Sequence, residues 1–287
     1  MNILILGSKS FIGRYIFDQL KKKFNIFTLN SYFDEVDILK LNNREFVEKY
    51  FNHLNTKIDV IINLIYIHKN NLNDELNLNL NLVDKICFFV NQKKIRIIHI
   101  SSVNSSGSNR DNKYSYTKSS LEKKIIGTDR YTILRLSTVI FKDKDNNFIG
   151  GRNGNSLNVF NFFIKKLRIF PLINNGDFTH TVCFLNDLDK FIDILIRKEL
   201  FLNERINFFT GQYITLKQLI RFFSKSYNLR IYFLNIPNVI IQCLVNISKI
   251  LDLKFISEQK LKNLLEQNIE YDKSIEIERY IKLKKID

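Results

Sequence analysis

Residues 1–17, MNILILGSKSFIGRYIF, open with the apolar run Asn2–Leu6 and turn through Gly7-Ser8-Lys9-Ser10-Phe11-Ile12-Gly13 into an amphipathic stretch. An Ile/Leu run this short predicts a buried strand. Ile12, Tyr15, Ile16 and Leu20 then share one face of a helix predicted over 11–24. A glycine-bearing turn between a strand and a helix is where a dinucleotide-binding unit holds its pyrophosphate. In that reading Gly7 makes the tight turn and Gly13 lets the helix approach the sheet. The middle position, where the backbone approaches the phosphates, holds Ser10. Its Cβ costs strain if the site needs positive φ. Its hydroxyl, at a helix N-terminus suited to anions, offers a donor to a phosphate oxygen instead. Taken alone, the loop reads equally well as an ordinary strand-to-helix turn.

The alternation continues along the chain. Strands are predicted at 25–30, 59–65, 95–101 and 131–141, and helices at 43–54, 79–92 and 114–126. Continuous β-branched runs separated by helices mark a buried parallel sheet. The fold class is therefore α/β, a Rossmann-type doubly wound parallel sheet. After Phe141 the pattern changes: residues 142–158 are polar, hold three of the nine glycines and read as a loop or flap. A helix over 159–170 and a strand-to-helix unit over 181–196 follow, and from about 207 the chain mixes short strands with helices. The expected division is a dinucleotide-binding domain of 1–142 with 180–206, and a smaller C-terminal α/β lobe of 143–179 with 207–287.

Apolar residues make up 45% of the chain, with 25 Phe and 12 Tyr, which is ample for a packed core and argues against global disorder. The net charge of +15 raises nucleic acid as a partner. The lysines, however, are spread along the whole chain and form no basic block interleaved with aromatics, so no nucleic-acid partner is expected. An anionic small substrate suits the charge equally well. Cys87, Cys183 and Cys243 are widely spaced in apolar surroundings and read as reduced core thiols, with neither a disulfide framework nor a zinc site. The four histidines are scattered, so no metal is expected. Met1-Asn2 runs straight into a predicted core strand, so no signal peptide is expected. The most apolar late stretch, 236–251, is interrupted by Asn238, Gln242, Asn246 and Lys249, and reads as a packed helix, not a membrane span. A cytoplasmic protein is expected.

A second constellation lies in KYSYTKSSLEKK, where Tyr114 and Lys118 form Tyr-x-x-x-Lys. Residues four apart share a helix face. A cation one turn from a phenol stabilises the phenolate and lowers its pKa from ~10, so such a tyrosine exchanges protons with an alcohol or carbonyl. Tyr116 falls on another face and reads as packing. Upstream, IIHISSV ends a predicted strand at Ser101 and Ser102, and ligands of such sheets bind beyond strand C-termini. Each feature is weak alone; their order along the chain is the signal.

In that order the chain resembles the extended short-chain dehydrogenases/reductases, the nucleotide-sugar epimerase/dehydratase group, over nearly its whole length. Gly7 to Gly13 stands for the family's Gly-x-x-Gly-Phe-Ile-Gly, with Lys9, Ser10, Phe11 and Ile12 among the implied cofactor contacts. VDILKL matches the acidic adenine contact at Asp37 and Ile38, and NLNLNLV the family's Asn before its fourth helix, at Asn77. Ser102, Tyr114 and Lys118 match the catalytic residues, with Tyr114 and Lys118 also facing the cofactor and Glu122 the usual acid one turn on. TILRLSTVIF, TVCFLNDLDKFI, INFFTGQYITLKQLI and YDKSIEIERYI resemble later family elements.

The departures are Ser10 for glycine; Asn30 where NAD enzymes of the family carry Asp; Ile65-Tyr66, after Leu64 at the cofactor's edge, for a small Ala-Ala or Ala-Gly pair, expected to crowd the cofactor; Thr138 for a substrate-binding Asn; and His180 for an Arg that grips a diphosphate. Thr138, His180 and Ser102 are the implied substrate contacts. The resemblance implies an NAD(P)-dependent oxidoreductase or epimerase working on a nucleotide-linked sugar, for deoxysugar or surface polysaccharide synthesis, with the C-terminal lobe binding substrate. Val103 and Asn104 stand where a dehydratase needs an acid pair, leaving C4 epimerisation or 4-keto reduction. Lys9 and the uncharged Leu29-Asn30-Ser31 tilt the cofactor slightly to NADP(H), against which Asp34 and Glu35 stand close by. A homodimer is left open. The alternative reading is a non-catalytic dinucleotide-binding sensor or scaffold of the same fold.

Overall fold

The computed structural model describes residues 1–28, 57–69, 71–106, 113–150, 157–177, 179–210, 212–237, 277 and 280–283. The opening stretch forms β1 (Asn2–Leu6), a turn and α1 (Phe11–Leu20), as its pattern predicts. Then come β2 (Asn25–Thr28), β3 (Val60–Asn63), α2 (Leu72–Lys93), β4 (Arg96–Ser102), α3 (Lys113–Ile126) and β5 (Tyr131–Leu136). A second group follows: β6 (Thr138–Lys142), β7 (Phe148–Gly150), α4 (Asn158–Phe162), β8 (Ile169–Ile173), β9 (Thr179–His180) and β10 (Val182–Phe184). The chain returns through α5 (Leu185–Lys198) and β11 (Glu204–Phe208), then continues into β12 (Ile214–Thr215), α6 (Leu216–Ser226) and β13 (Tyr232–Ile236).

Six parallel strands form the main sheet in the order β11-β5-β4-β3-β1-β2. β3 and β4 are buried along their whole length, because helices cover both faces. On one face Leu4, Leu6, Ile61, Ile97 and Ile133 pack against Leu82, Val83 and Ile86 of α2 and Leu121 and Ile125 of α3. Ile3 and Ile5 alternate to the opposite face, where α1 and α5 pack together, tied by a Tyr15 hydroxyl bond to Asn186 Oδ1 at 2.9 Å. The winding reverses between β1 and β3, so a crevice opens beyond their C-terminal ends.

Three predicted elements are corrected. The helix expected at 79–92 begins at Leu72, because the Asn71 side chain caps it, accepting from the Asn73 N–H at 2.9 Å, and Asp74 and Glu75 complement its dipole. The strand expected at 131–141 is two strands in different sheets: β5 pairs with β4 and β11, while β6 pairs with β10 and β7. The helix expected over 159–170 shortens to α4, which passes into a π-helical turn at Phe163–Leu167. The helix expected at 43–54 lies outside the described residues.

The chain divides into two compact units. One comprises Met1–Ser137, Leu185–Phe208 and Lys273–Lys282; the other comprises Thr138–Phe184, Phe209–Asp272 and Leu283–Asp287. The boundaries thus fall at 137/138, 184/185 and 208/209, not at 142/143, 179/180 and 206/207, because β6 and β10 belong to the second unit's own sheet. That unit is built on phenylalanine: Phe148 is buried and stacks on Phe223 at 4.1 Å, beside Phe170 and Ile164. Its helix α6 starts at a capping box, in which Thr215 Oγ1 accepts from the Gln218 N–H at 3.1 Å and Gln218 Oε1 from the Thr215 N–H at 2.7 Å.

Candidate active site

The glycine turn is built by close approach. Gly7 has φ +87°, and a Cβ on it would lie 3.1 Å from the Leu64 carbonyl carbon and 3.2 Å from the Ile65 nitrogen. The exit of β1 therefore rests against the exit of β3. A Cβ on Gly13 would fall 2.2 Å from the Gly7 carbonyl oxygen, so α1 keeps its place only with glycine there. Ser10 corrects the sequence reading on both counts. Its backbone is φ −66°, ψ 161°, which any residue adopts without strain. Its hydroxyl is spent within the loop: it donates to Gly7 O at 2.8 Å and accepts from the Gly13 N–H at 3.1 Å as the N-cap of α1. Lys9 is exposed, and its carbonyl accepts from Arg14 Nε at 2.9 Å. Phe11 and Ile12 are half-buried in the first turn of α1. The two glycines let the turn pack tightly at the start of α1, and a helix N-terminus of this kind suits the pyrophosphate of a dinucleotide.

The exit of β3 is held from below. Asn63 Oδ1 accepts from the Ile65 N–H at 3.1 Å, which leaves its amide nitrogen to donate to His99 Nδ1 at 3.2 Å. Burial, with Lys118 nearby, pushes His99 down to about 3, so the imidazole is neutral. Ile65 turns into the sheet core and does not crowd the crevice. Asn79 braces the loop through both Ile67 backbone groups, accepting from N–H at 2.9 Å and donating to C=O at 2.7 Å. Asn77, the residue singled out from sequence, is exposed on α2.

Tyr66 points toward α3. Its hydroxyl donates to Glu75 Oε1 at 2.6 Å. The other Glu75 oxygen accepts from the Lys69 N–H at 2.8 Å, lies 3.3 Å from Lys113 Nζ and 3.6 Å from His68 Nδ1. Burial alone would raise the Glu75 carboxyl, but the bonds from Tyr66, Lys69 and Lys113 outweigh it and hold the group below the ordinary carboxylate value. Lys113 also donates to the Lys69 carbonyl, so the β3 exit loop is tied to the first residue of α3.

Tyr114 and Lys118 follow on α3. The Tyr114 ring meets Tyr66 edge-on at 5.2 Å and lies nearly parallel to His68 at 6.3 Å. Lys118 is buried; its Nζ donates to Ile100 O at 3.2 Å, and it sits 4.9 Å from the Tyr66 ring centre and 6.0 Å from that of Tyr114. Burial pushes Lys118 down to about 8, with Glu122 pulling the other way. Glu122 accepts from Ser101 Oγ at 2.6 Å, from Arg135 Nη2 at 2.6 Å and from Ser105 Oγ. Ser102 ends β4; its hydroxyl accepts from the Asn104 N–H at 3.3 Å. The chain thus brings Gly7, Ser10, Gly13, Leu64 and Ile65 together at the β1 and β3 exits, and Ser102, Tyr114 and Lys118 at the β4 exit and α3. Thr138 opens β6, exposed, and His180 is half-buried in β9 opposite Ile214; both belong to the second unit. Asn30, Asp37 and Ile38 lie outside the described residues. Sequence reasoning missed Glu75 and Asn79.

Among solved structures, dTDP-4-dehydrorhamnose reductase from Bacillus anthracis in complex with NADP is similar with a TM-score of 0.65 and 15% identity, over 82% of this chain and 84% of that one. UDP-glucose 4-epimerase from Thermotoga maritima with UDP-glucose is similar with a TM-score of 0.60 and 17% identity, over 82% and 86%. The fold is the one these enzymes share. The Bordetella bronchiseptica enzyme WbmG in complex with NAD matches at 0.64 and 12% identity, over 83% and 81%. No family model matches the chain, and no curated protein matches it significantly. Among the described residues, no helix is long and apolar enough to cross a membrane.

Proposed function

We propose that this chain is an NAD(P)-dependent oxidoreductase or epimerase acting on a nucleotide-linked sugar, by 4-keto reduction or C4 epimerisation. The observation that carries the reading is Lys118, a buried amino group set one helical turn from Tyr114 on a helix following the strand that ends in Ser102. Among the described residues no carboxylate pairs with its nitrogen, and a buried lysine held that way is costly and marks a functional group. The fold shared with sugar-nucleotide reductases and epimerases, and the tight glycine turn at the start of α1, support the same assignment.

In this reading Tyr114 is the acid/base. It gives its phenolic proton to a carbonyl oxygen becoming an alcohol, or takes one from an alcohol being oxidised. The Lys118 charge lowers the cost of the phenolate left behind. The Ser102 hydroxyl orients the same substrate oxygen. A nicotinamide dinucleotide, when bound, exchanges hydride with the sugar carbon; the Gly7–Gly13 turn would hold its pyrophosphate. Thr138 and His180 are the proposed substrate contacts of the second unit. Lys9, exposed in the turn, tilts the cofactor to NADP(H), since a cation on a 2′-phosphate makes a bond roughly twice as strong as a neutral one.

The test is Tyr114→Phe, assayed by product analysis with a panel of nucleotide sugars and 4-keto nucleotide sugars and either cofactor. Turnover should fall ~10²–10⁴-fold with dinucleotide binding retained; undiminished turnover overturns the assignment. Dissociation constants for NADPH and NADH, in wild type and Lys9→Ala, test the cofactor preference, and NADH binding as tightly as NADPH in the wild type overturns it. The second reading is a dinucleotide-binding sensor, favoured by the Tyr66 ring lying against Lys118. It requires dinucleotide binding without turnover on any member of the panel.

A further inference from the structure

We propose that Tyr66, clamped by Glu75, is a positioning residue for the Lys118–Tyr114 pair: its ring face carries the Lys118 ammonium while its edge fixes the Tyr114 ring. The argument begins with what surrounds the amino group. Among the described residues Lys118 Nζ has one acceptor, the neutral Ile100 O at 3.2 Å, and it is buried beside the neutral His99. The carboxylate on its own helix, Glu122, is engaged by Ser101, Ser105 and a two-pronged Arg135 contact, so its charge is largely answered elsewhere. Among the described residues the remaining titratable neighbours are phenols, Tyr114 and Tyr66, and of these Tyr66 is the nearer, at 4.9 Å. An aromatic face at that distance attracts a cation through its quadrupole, most strongly where water is excluded.

The ring is not free to turn away. Its hydroxyl is held at 2.6 Å by a buried carboxylate whose other oxygen grips the Lys69 amide of the same loop. Glu75 also contacts Lys113, the residue before Tyr114, at 3.3 Å, so one carboxylate sets both the ring and the helix end it supports.

The test reads Lys118 directly in the full chain. Protein labelled with [6-¹³C]lysine is titrated by NMR, with the Lys118 signal assigned through Lys118→Arg. In Tyr66→Leu the Lys118 midpoint should fall by about one pH unit, whereas Tyr66→Phe, which keeps the ring face and loses only the Glu75 clamp, should fall by less than half as much. Where the leucine variant fails to fold, mono-, di- and trifluorinated phenylalanines at position 66 keep the shape and drain the ring face. The midpoint should then fall stepwise with fluorination. An unchanged midpoint in Tyr66→Leu, or a flat fluorination series, overturns the proposal. Its consequence for proton transfer rests on the function proposed above. The titration needs neither substrate nor cofactor, so loss of that function reading and loss of this one are told apart.

Discussion

Two buried glutamates flank the face of α3 that carries Tyr114 and Lys118, and they are satisfied in different ways. Glu122 is answered from the sheet. Arg135 on β5 reaches both its oxygens, with Nη2 at 2.6 Å from Oε2 and Nε at 3.0 Å from Oε1, and Ser101 and Ser105 add hydroxyls. Glu75 is answered from a loop and a helix end. It has a phenol, a backbone N–H and a Lys113 ammonium whose side chain is 30% exposed. A rigid guanidinium fork fixes geometry as a bonded bracket does, whereas a flexible ammonium supplies charge without direction. Glu122 thus anchors α3 to the sheet, and Glu75 ties down the part of the crevice where this chain departs most from small residues.

The largest effect should come from removing the bracket. Glu122→Ala leaves the Arg135 guanidinium, 13% exposed, without its carboxylate. Breaking a buried pair from one side costs about 3–5 kcal/mol. Chemical denaturation should register that loss, and a cost below about 1 kcal/mol, the range of exposed pairs, would erase the distinction drawn between the two glutamates.

Glu75 should give a smaller effect that depends on pH. Its carboxyl sits below the ordinary value in the folded chain, so the unfolded chain binds the proton more readily over the interval between the two values. The stability contributed is fully present above ~4.3, the unfolded value, and is lost as pH falls through the lower, folded value. Wild type should therefore exceed Glu75→Gln in denaturation midpoint at pH 7. The gap should close on acidification below about pH 4. A gap independent of pH would mean that Glu75 acts through shape alone.

The β1–turn–α1 unit was legible because its physics is local: two glycines seven positions from first to last, an apolar run and a helical repeat. Tyr114 and Lys118 were legible because i, i+4 spacing needs no tertiary knowledge. Tyr66 reads from sequence as an obstruction, since nothing in the sequence says which way a ring turns at a strand exit; the direction is decided by Glu75, nine residues on. NLNLNL repeats asparagine every second residue, so the sequence does not tell the exposed Asn77 from the buried Asn79, which braces the loop. A helical reading started at the Asn71 cap would have separated them: Glu75, Asn79, Leu82, Val83 and Ile86 fall on the buried face and Asn77 outside it. The break at Ser137 is a tertiary event, since the continuous run 131–141 has strand character throughout and only its partners differ.

The smallest effect belongs to Ser10, which satisfies itself within a solvent-exposed loop as Glu122 does within the sheet. Its hydroxyl bridges Gly7 O and the Gly13 N–H, and it caps α1. Losing a side-chain cap to alanine costs about 1 kcal/mol, and to glycine only a few tenths. Stability should therefore run Ser10 above Ser10→Gly above Ser10→Ala. The backbone at this position is already extended, so glycine relieves no strain. Because the hydroxyl proton is committed to Gly7, Ser10→Gly should leave NADPH and NADH dissociation constants within about twofold, less than the tenfold that 1.4 kcal/mol represents. Titration of both cofactors against the two variants separates the accounts. Binding weakened tenfold or more in Ser10→Gly, with the fold intact, would mean that the hydroxyl leaves Gly7 for a phosphate oxygen and that the loop rearranges around its ligand.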